Sequence, residues 1–330
     1  MNYIKRGIKK ILEKADRFRH NSLKLIKPKL YEPQGVILIY HQVAQQSNNS
    51  LGPYSSNLIA PQLFAEQMQY IKNNYRVISL DRLASLLEDD KRLPEKFVVI
   101  TFDDGYKDNL TTALPILKKY NIPAAIYLST SFIANEETPF EYRLADIIKN
   151  STYLEFRFNN RLSVYDLNSN EQKVEAYYEI KELAQKTKKY KRELLLKRIA
   201  NNAEKNNSKL DYDNLFMNWS EVQEIAQEEL ITIGAHTHTH PLLTTLARDE
   251  VSYEILLAKD ILERRLETKV THFSYPYGAA NNRIIKEVER LNFKTAVTTA
   301  QELIQPRHKD SIYSLPRVEV EDTAALKNIF

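Results

Sequence analysis

Two adjacent carboxylates, Asp103 and Asp104, follow the β-branched run "FVVITF" at 97–102, and three of the seven histidines stand together in "GAHTHTHP" as His236, His238 and His240. An Asp-Asp-Gly by itself is what many turns after a strand contain, and a lone HxxxH says little. The two in one chain, each at the end of a predicted strand, point to a metal site. In an extended segment His236 and His240 would stand about 13 Å apart at roughly 3.3 Å per residue, too far to share an ion. A turn or a single helical coil brings residues four apart to about 5–6 Å, and two imidazoles can then reach one cation at about 2.0–2.1 Å each. Gly234 before the run and Pro241 after it favour such a break from the strand. His238, out of phase, points elsewhere in a supporting role. A catalytic zinc usually takes three protein ligands and a water, so two imidazoles leave one place for an oxygen ligand. The carboxylate pair can supply it: one binds the ion, and its neighbour stays free to take a proton from the attacking water. Like charges this close are tolerable with a divalent cation between them. The chain has no cysteine, which excludes thiolate ligands, disulfides and a cysteine nucleophile.

The elements that must position these groups alternate. Short apolar runs at 36–40, 97–102, 124–130, 230–236, 271–276 and 295–299 read as strands, and most are separated by amphipathic helical patterns. That order predicts parallel strands covered by helices, as a doubly wound sheet or a closed barrel. From about Ala134 to Asn218 the rhythm breaks into a segment rich in Lys, Glu, Asn and Tyr with a long helical pattern, read as a helical insertion or subdomain. Regular alternation resumes at "NWSEVQEIAQEEL", where Ser220 and Gln223 have the spacing of a capping box.

With 43% hydrophobic and 27% charged residues the composition is that of a globular protein, and no run approaches the roughly 18 apolar residues of a membrane span. The net charge of +4 is uneven. Residues 1–30 carry ten Lys or Arg against two acids, leaving 37 against 41 elsewhere. Ile4, Ile8, Ile11 and Leu12 share a helical face opposite those cations, which predicts a basic amphipathic helix able to lie on an anionic membrane surface. No apolar signal-peptide core follows the charges, so the expectation is a cytoplasmic protein with peripheral membrane contact. The basic segment lacks the interleaved aromatics of a nucleic-acid binder, and none is expected as a partner.

At several separate motifs the chain resembles the polysaccharide deacetylases of carbohydrate esterase family 4, the NodB-homology family, over roughly residues 35–133 and 218–320. "TFDDGY" resembles the first motif, which implies Asp103 as general base and Asp104 as metal ligand. "HTHTHP" resembles the second and implies His236 and His240 as ligands. "SYPYG" resembles the third, groove-lining motif and implies substrate contacts at Tyr275, Pro276, Tyr277 and Gly278. Tyr106 is grouped with them, the implied oxyanion donor being a backbone N–H near Gly105 or Tyr106. The family fold is a distorted barrel, so the resemblance implies an α/β, (β/α)7-type barrel over 31–330, interrupted by the insertion and preceded by the basic helix. The implied cofactor is a divalent metal, zinc by default with nickel or cobalt fitting the same ligands. The implied substrate is a carbohydrate, deacetylated at N-acetylhexosamine units of a polysaccharide or a lipid-linked saccharide.

Two positions depart from the family pattern. Many members place an arginine before the Pro-Tyr of the third motif to orient the base. Tyr275 stands there, and Arg317 in "SLPRVEV" is the candidate for that function. Many members also carry a late general-acid histidine, yet no histidine follows His308, which sits in a polar loop, and His272 precedes its strand as a structural residue. His41, directly after the first strand, is the candidate acid. In a closed barrel the first strand neighbours the last, and this placement resembles the permuted members of the family, including the poly-N-acetylglucosamine deacetylases, in which the late motif stands at the N-terminus. An imidazole titrates near neutrality, as protonating a departing amine requires. The same constellation would serve an O-acetyl esterase or a cyclic-amide deacylase. The rival of another class is a catalytically silent glycan-binding protein, against which the intact set of base, ligands and acid stands.

Overall fold

The computed structural model describes residues 34–45, 51–53, 58–185, 187, 189–202, 212, 214–320 and 322–330. The basic segment 1–30 lies outside the described residues. The described residues fall into two compact units, one of 51–53 and 140–202, the other made of the remainder.

The larger unit is built on parallel strands β1 (Gly35–Tyr40), β2 (Phe97–Phe102), β3 (Ala124–Leu128), β4 (Ile231–Ala235), β5 (His272–Ser274), β6 (Thr295–Val297) and β7 (Val318–Glu319). Their order is β6-β5-β4-β3-β2-β1-β7, with the two-residue strand Arg76–Val77 also paired to β2. A parallel bridge between Val297 and Leu315, just ahead of β7, links the ends of that order. The result is a mostly parallel α/β barrel. Every residue of β1, β2 and β3 is buried, which is why these segments read as unbroken apolar runs. Inward side chains such as Ile37, Val99, Tyr127 and Val297 form one cluster with Leu83 and Leu87 of helix Leu80–Glu88. The sequence pattern missed β7, because two residues are too short to display a period.

Helices cover the sheet where periodicity predicts them, at Pro61–Asn74, Arg248–Leu266 and Asn282–Arg290. The helix at Trp219–Ala226 starts two residues earlier than the Ser220–Gln223 spacing suggests. Asn218 is the N-cap, its side chain accepting from the Glu221 N–H while the Glu221 carboxylate accepts from the Asn218 N–H. No helix among the described residues is long and apolar enough to cross a membrane.

Among its described residues the smaller unit holds three helices, Phe140–Lys149, Asn170–Gln185 and Lys189–Asn202, and also an antiparallel hairpin of Tyr153–Phe158 with Arg161–Asp166. The hairpin was not anticipated. Its signal is nonetheless in "YLEFRF", where Leu154, Phe156 and Phe158 alternate with exposed residues.

Candidate metal centre and active site

The C-terminal ends of parallel barrel strands are where loops can converge on one mouth, and the chemistry-bearing residues lie there. Val99, Thr101 and Asp103 alternate onto the barrel interior by the two-residue period of β2. Beneath Asp103 lies Arg317, with no exposed surface. Its two terminal nitrogens donate to Asp103 Oδ1 and Oδ2 at 2.7 and 2.6 Å. The remaining N–H groups go to Thr101 Oγ1 at 3.2 Å, Ser274 Oγ at 3.0 Å and the Thr298 carbonyl at 3.0 Å. All five donors of the guanidinium are therefore used, which holds the buried cation in one orientation. Burial raises the Asp103 carboxyl, but the Arg317 charge, with smaller contributions from His236 and His41, outweighs it and holds Asp103 well below the ordinary carboxylate range.

Asp104 does not continue the strand alternation. Its φ of 74° is left-handed, a conformation aspartate tolerates better than most residues. This turns the second carboxylate away from Arg317 and toward the histidines. Asp104 Oδ1 lies 3.5 Å from Nε2 of both His236 and His240. Gly105, at φ 83°, completes the turn where an added Cβ would stand 2.6 Å from Leu128 Cδ2.

The histidine run leaves β4 as a turn. Thr237 and His240 have φ of 67° and 52°, and the rings of His236 and His240 stand 4.8 Å apart. Thr237 Oγ1 accepts the N–H of His240, and Glu254 accepts from the N–H of His238, the N–H of Thr239 and the Thr239 hydroxyl. His238 points away, its Nδ1 bonded to Thr130 Oγ1 at 2.8 Å.

The three side chains fit a divalent cation. Ligand atoms each about 2.0–2.1 Å from a tetrahedral ion stand about 3.3–3.4 Å from one another, close to the 3.5 Å separations here. His236 Nδ1–H donates to the Ser274 carbonyl at 2.8 Å, which leaves Nε2 as the lone pair facing Asp104. Burial, opposed by the Asp103 charge and the Ser274 carbonyl, lowers the His236 pKa, the direction that favours the neutral form a metal ligand needs. Asp103 is farther off, with Oδ2 3.9 Å from His236 Nε2. The carboxylate pair thus divides into one member facing the imidazoles and one held by arginine.

His41 follows β1. Because Tyr40 pairs in register with Phe102, His41 falls beside Asp103, and its charge is among those that act on that carboxyl. The third-motif residues differ in their exposure. Tyr275 is 0% exposed, packs edge-on against Phe273 at 5.1 Å and donates its hydroxyl to the Tyr313 carbonyl, so its side chain supports the rim. Pro276 is buried. The Tyr106 ring is buried too, stacked on Phe216 at 4.9 Å, so only its backbone remains for a ligand contact. Tyr277 is half-buried, with φ 59°, and meets His240 at 4.8 Å between ring centres; Gly278 is also half-buried. His308 is buried, caps its own loop through Gln305 and takes no part in the site. His272 bonds Asp81 and Thr295 at the opposite end of β5 from the ligands.

Sequence reasoning overlooked Ser274 and Thr101. Ser274 Oγ donates to Asp103 Oδ2 at 3.1 Å while its carbonyl orients His236. Ser274 opens the quoted "SYPYG" stretch, but a serine is too common a residue to select by type.

These features define an α/β barrel with an Asp-His-His cluster of metal-ligand spacing at the C-terminal mouth of its strands. The chain belongs to the polysaccharide deacetylase family, whose sequence model matches residues 90–296. It is 30% identical over 140 residues to YxkH of Bacillus subtilis (strain 168), which is named among polysaccharide deacetylases, covering 42% of this chain and 47% of that protein. It is 24% identical over 290 residues to the poly-beta-1,6-N-acetyl-D-glucosamine N-deacetylase of Escherichia coli K12, covering 79% of this chain and 33% of that protein. The chain thus spans a third to a half of the length of these curated relatives. Among solved structures, Streptococcus pyogenes deacetylase PplD in complex with acetate superposes with a TM-score of 0.61 at 20% identity, over 91% of this chain and 99% of that one. IcaB from Ammonifex degensii gives 0.56 at 18%, over 89% and 95%. At these identities the likeness establishes the fold.

Proposed function

We propose that the protein is a metal-dependent hydrolase that removes N-acetyl groups from N-acetylhexosamine units of a polysaccharide or lipid-linked saccharide. The observation that carries this reading is the division of the carboxylate doublet, with Asp103 clamped by Arg317 and Asp104 turned to His236 and His240. Asp104, His236 and His240 would hold the ion, zinc by preference. When bound, it supplies Lewis-acid polarisation of the acetyl carbonyl and of the attacking water.

The residues of the chain do the remaining work. Asp103, oriented by Arg317 and Ser274, takes a proton from water as its oxygen bonds to the acetyl carbon. A backbone N–H near Gly105 or Tyr106 faces the oxyanion that develops, an interaction commonly worth about 3–4 kcal/mol. His41 gives a proton to the sugar nitrogen as the C–N bond breaks, releasing acetate and a free amine. Tyr277, half-buried beside His240, offers a face on which a sugar ring can stack. The E. coli relative named for poly-beta-1,6-N-acetyl-D-glucosamine supports a hexosamine polymer as the substrate class. The basic segment 1–30 would bring the enzyme to an anionic membrane surface.

Acetate release from N-acetylglucosamine oligomers and lipid-linked N-acetyl sugars by zinc-reconstituted protein tests the reading. Asp103→Asn should lose about 10²–10⁴-fold in rate. Equal activity of Asp103→Asn and wild type would refute the base. Preference for O-acetyl esters or cyclic amides would refute the substrate class.

A further inference from the structure

Two consecutive side chains, Asp108 and Asn109, hold the main chain that leaves His41, at its carbonyl and at the Val43 N–H. Asn109 Nδ2 donates to the His41 carbonyl at 2.7 Å and to Asp108 Oδ1 at 3.1 Å. The same Asp108 oxygen accepts the N–H of Val43 at 3.1 Å. The backbone from His41 to Val43 is thereby gripped at two points by neighbouring side chains.

Both grips are costly. Asn109 is 1% exposed, and its Oδ1 is buried with no hydrogen-bond partner among the described residues, so the amide contributes only through its donors. Burial raises the Asp108 carboxyl to about 6, against the Val43 N–H and the Asn109 amide, which lower it. A π-helical turn at Asn109–Ala113 follows directly, a wide turn that recurs at functional sites. The same loop begins with Asp103, whose N–H donates to the Tyr40 carbonyl at 3.0 Å. One stretch of seven residues, 103–109, thus carries both carboxylates and also binds the backbone that presents the imidazole.

We propose that Asp108 and Asn109 are positioning residues that set the His41 imidazole relative to Asp103 and Asp104 for proton delivery to the departing amine. They touch neither substrate nor ion and act only through His41. This inference rests on the reading of His41 as the general acid.

The test is a set of double-mutant cycles in the full chain, with zinc loaded and N-acetylglucosamine oligomers as substrate. Asn109→Ala and Asp108→Ala should each lower kcat about 10–100-fold, the penalty of a displaced catalytic group, with KM and zinc affinity within about twofold of wild type. Either change added to His41→Asn should cost less than about twofold more, because the group it acts through is already gone. The histidine ring resonances should show the His41 signal displaced in Asn109→Ala and those of His236 and His240 unmoved. Three results would overturn the proposal: wild-type kcat in Asn109→Ala, full multiplication of the losses in the double variants, or a fall in zinc affinity that matches the fall in kcat. Full activity of His41→Asn alone would instead refute the reading of His41 itself.

Discussion

Arg317 and Asp103, 214 residues apart in sequence, meet in a two-pronged ion pair with no solvent-exposed surface on the arginine. The pair sits one residue before Asp104, whose left-handed turn aims its carboxylate at His236 and His240 instead.

Replacing Arg317 by methionine or lysine should therefore damage both folding and turnover. Removing one partner of a buried pair costs about 3–5 kcal/mol of stability. Lysine keeps the charge but cannot span both oxygens. The expected result is a kcat at least about 100-fold lower for both variants, with zinc affinity changed far less. Calorimetric zinc titration beside steady-state kinetics checks the split, and an equal loss of zinc binding would contradict it.

Asp104→Asn, His236→Ala and His240→Ala should each abolish stoichiometric binding of a divalent ion, while Asp103→Asn should retain it. Chelation of the wild-type enzyme should remove activity, and zinc, cobalt or nickel should each restore some of it, because an Asp-His-His set accepts all three. Metal analysis after dialysis distinguishes the four variants. Retention of metal by His240→Ala would refute the ligand set.

At the opposite end of β5 from the ligands, His272 bonds Asp81 at 3.0 Å and Thr295 at 2.7 Å, and Thr232 also donates to Asp81. The His272 hydrogen bond is the largest influence on Asp81 and, against burial, holds its carboxyl at about 2, below its ordinary value of 3.8. A carboxyl depressed on folding adds stability above its unfolded value, and that contribution is lost as pH falls from about 4 toward 2. Asp81→Asn should lower Tm at pH 7 and close the gap to wild type across that acid window. A gap that persists at pH 2 would show another cause.

Gly105→Ala tests the turn that redirects Asp104. A methyl group there would meet Leu128 Cδ2 at 2.6 Å and Ile133 Cδ1 at 3.0 Å, on a backbone with φ 83°. Overpacking and left-handed strain together predict a destabilisation of about 2–5 kcal/mol, read by denaturant unfolding. Any folded Gly105→Ala should bind zinc more weakly, since the Asp104 carboxylate would be re-aimed. Unchanged stability would mean the turn tolerates a side chain.

Residue types, spacing and local periodicity by themselves determined the parallel α/β class, because parallel strands buried on both faces must read as apolar runs separated by amphipathic helices, and left the choice between an open sheet and a barrel to the family resemblance. They also singled out Asp103, Asp104, His236 and His240, since the acidic pair directly follows an apolar strand run and three of the seven histidines fall within five residues. What they could not supply was direction. The left-handed Asp104, the five-bond cage of Arg317, the bridging Ser274 and the Asp108–Asn109 grip on His41 each depend on strand ends that meet only when the barrel closes. Burial of Tyr275 and of the Tyr106 ring was likewise decided by neighbours distant in the chain. Hydrogen-bond partners and solvent exposure belong to pairs of residues brought together in space, and a linear pattern records only one member of each pair at a time.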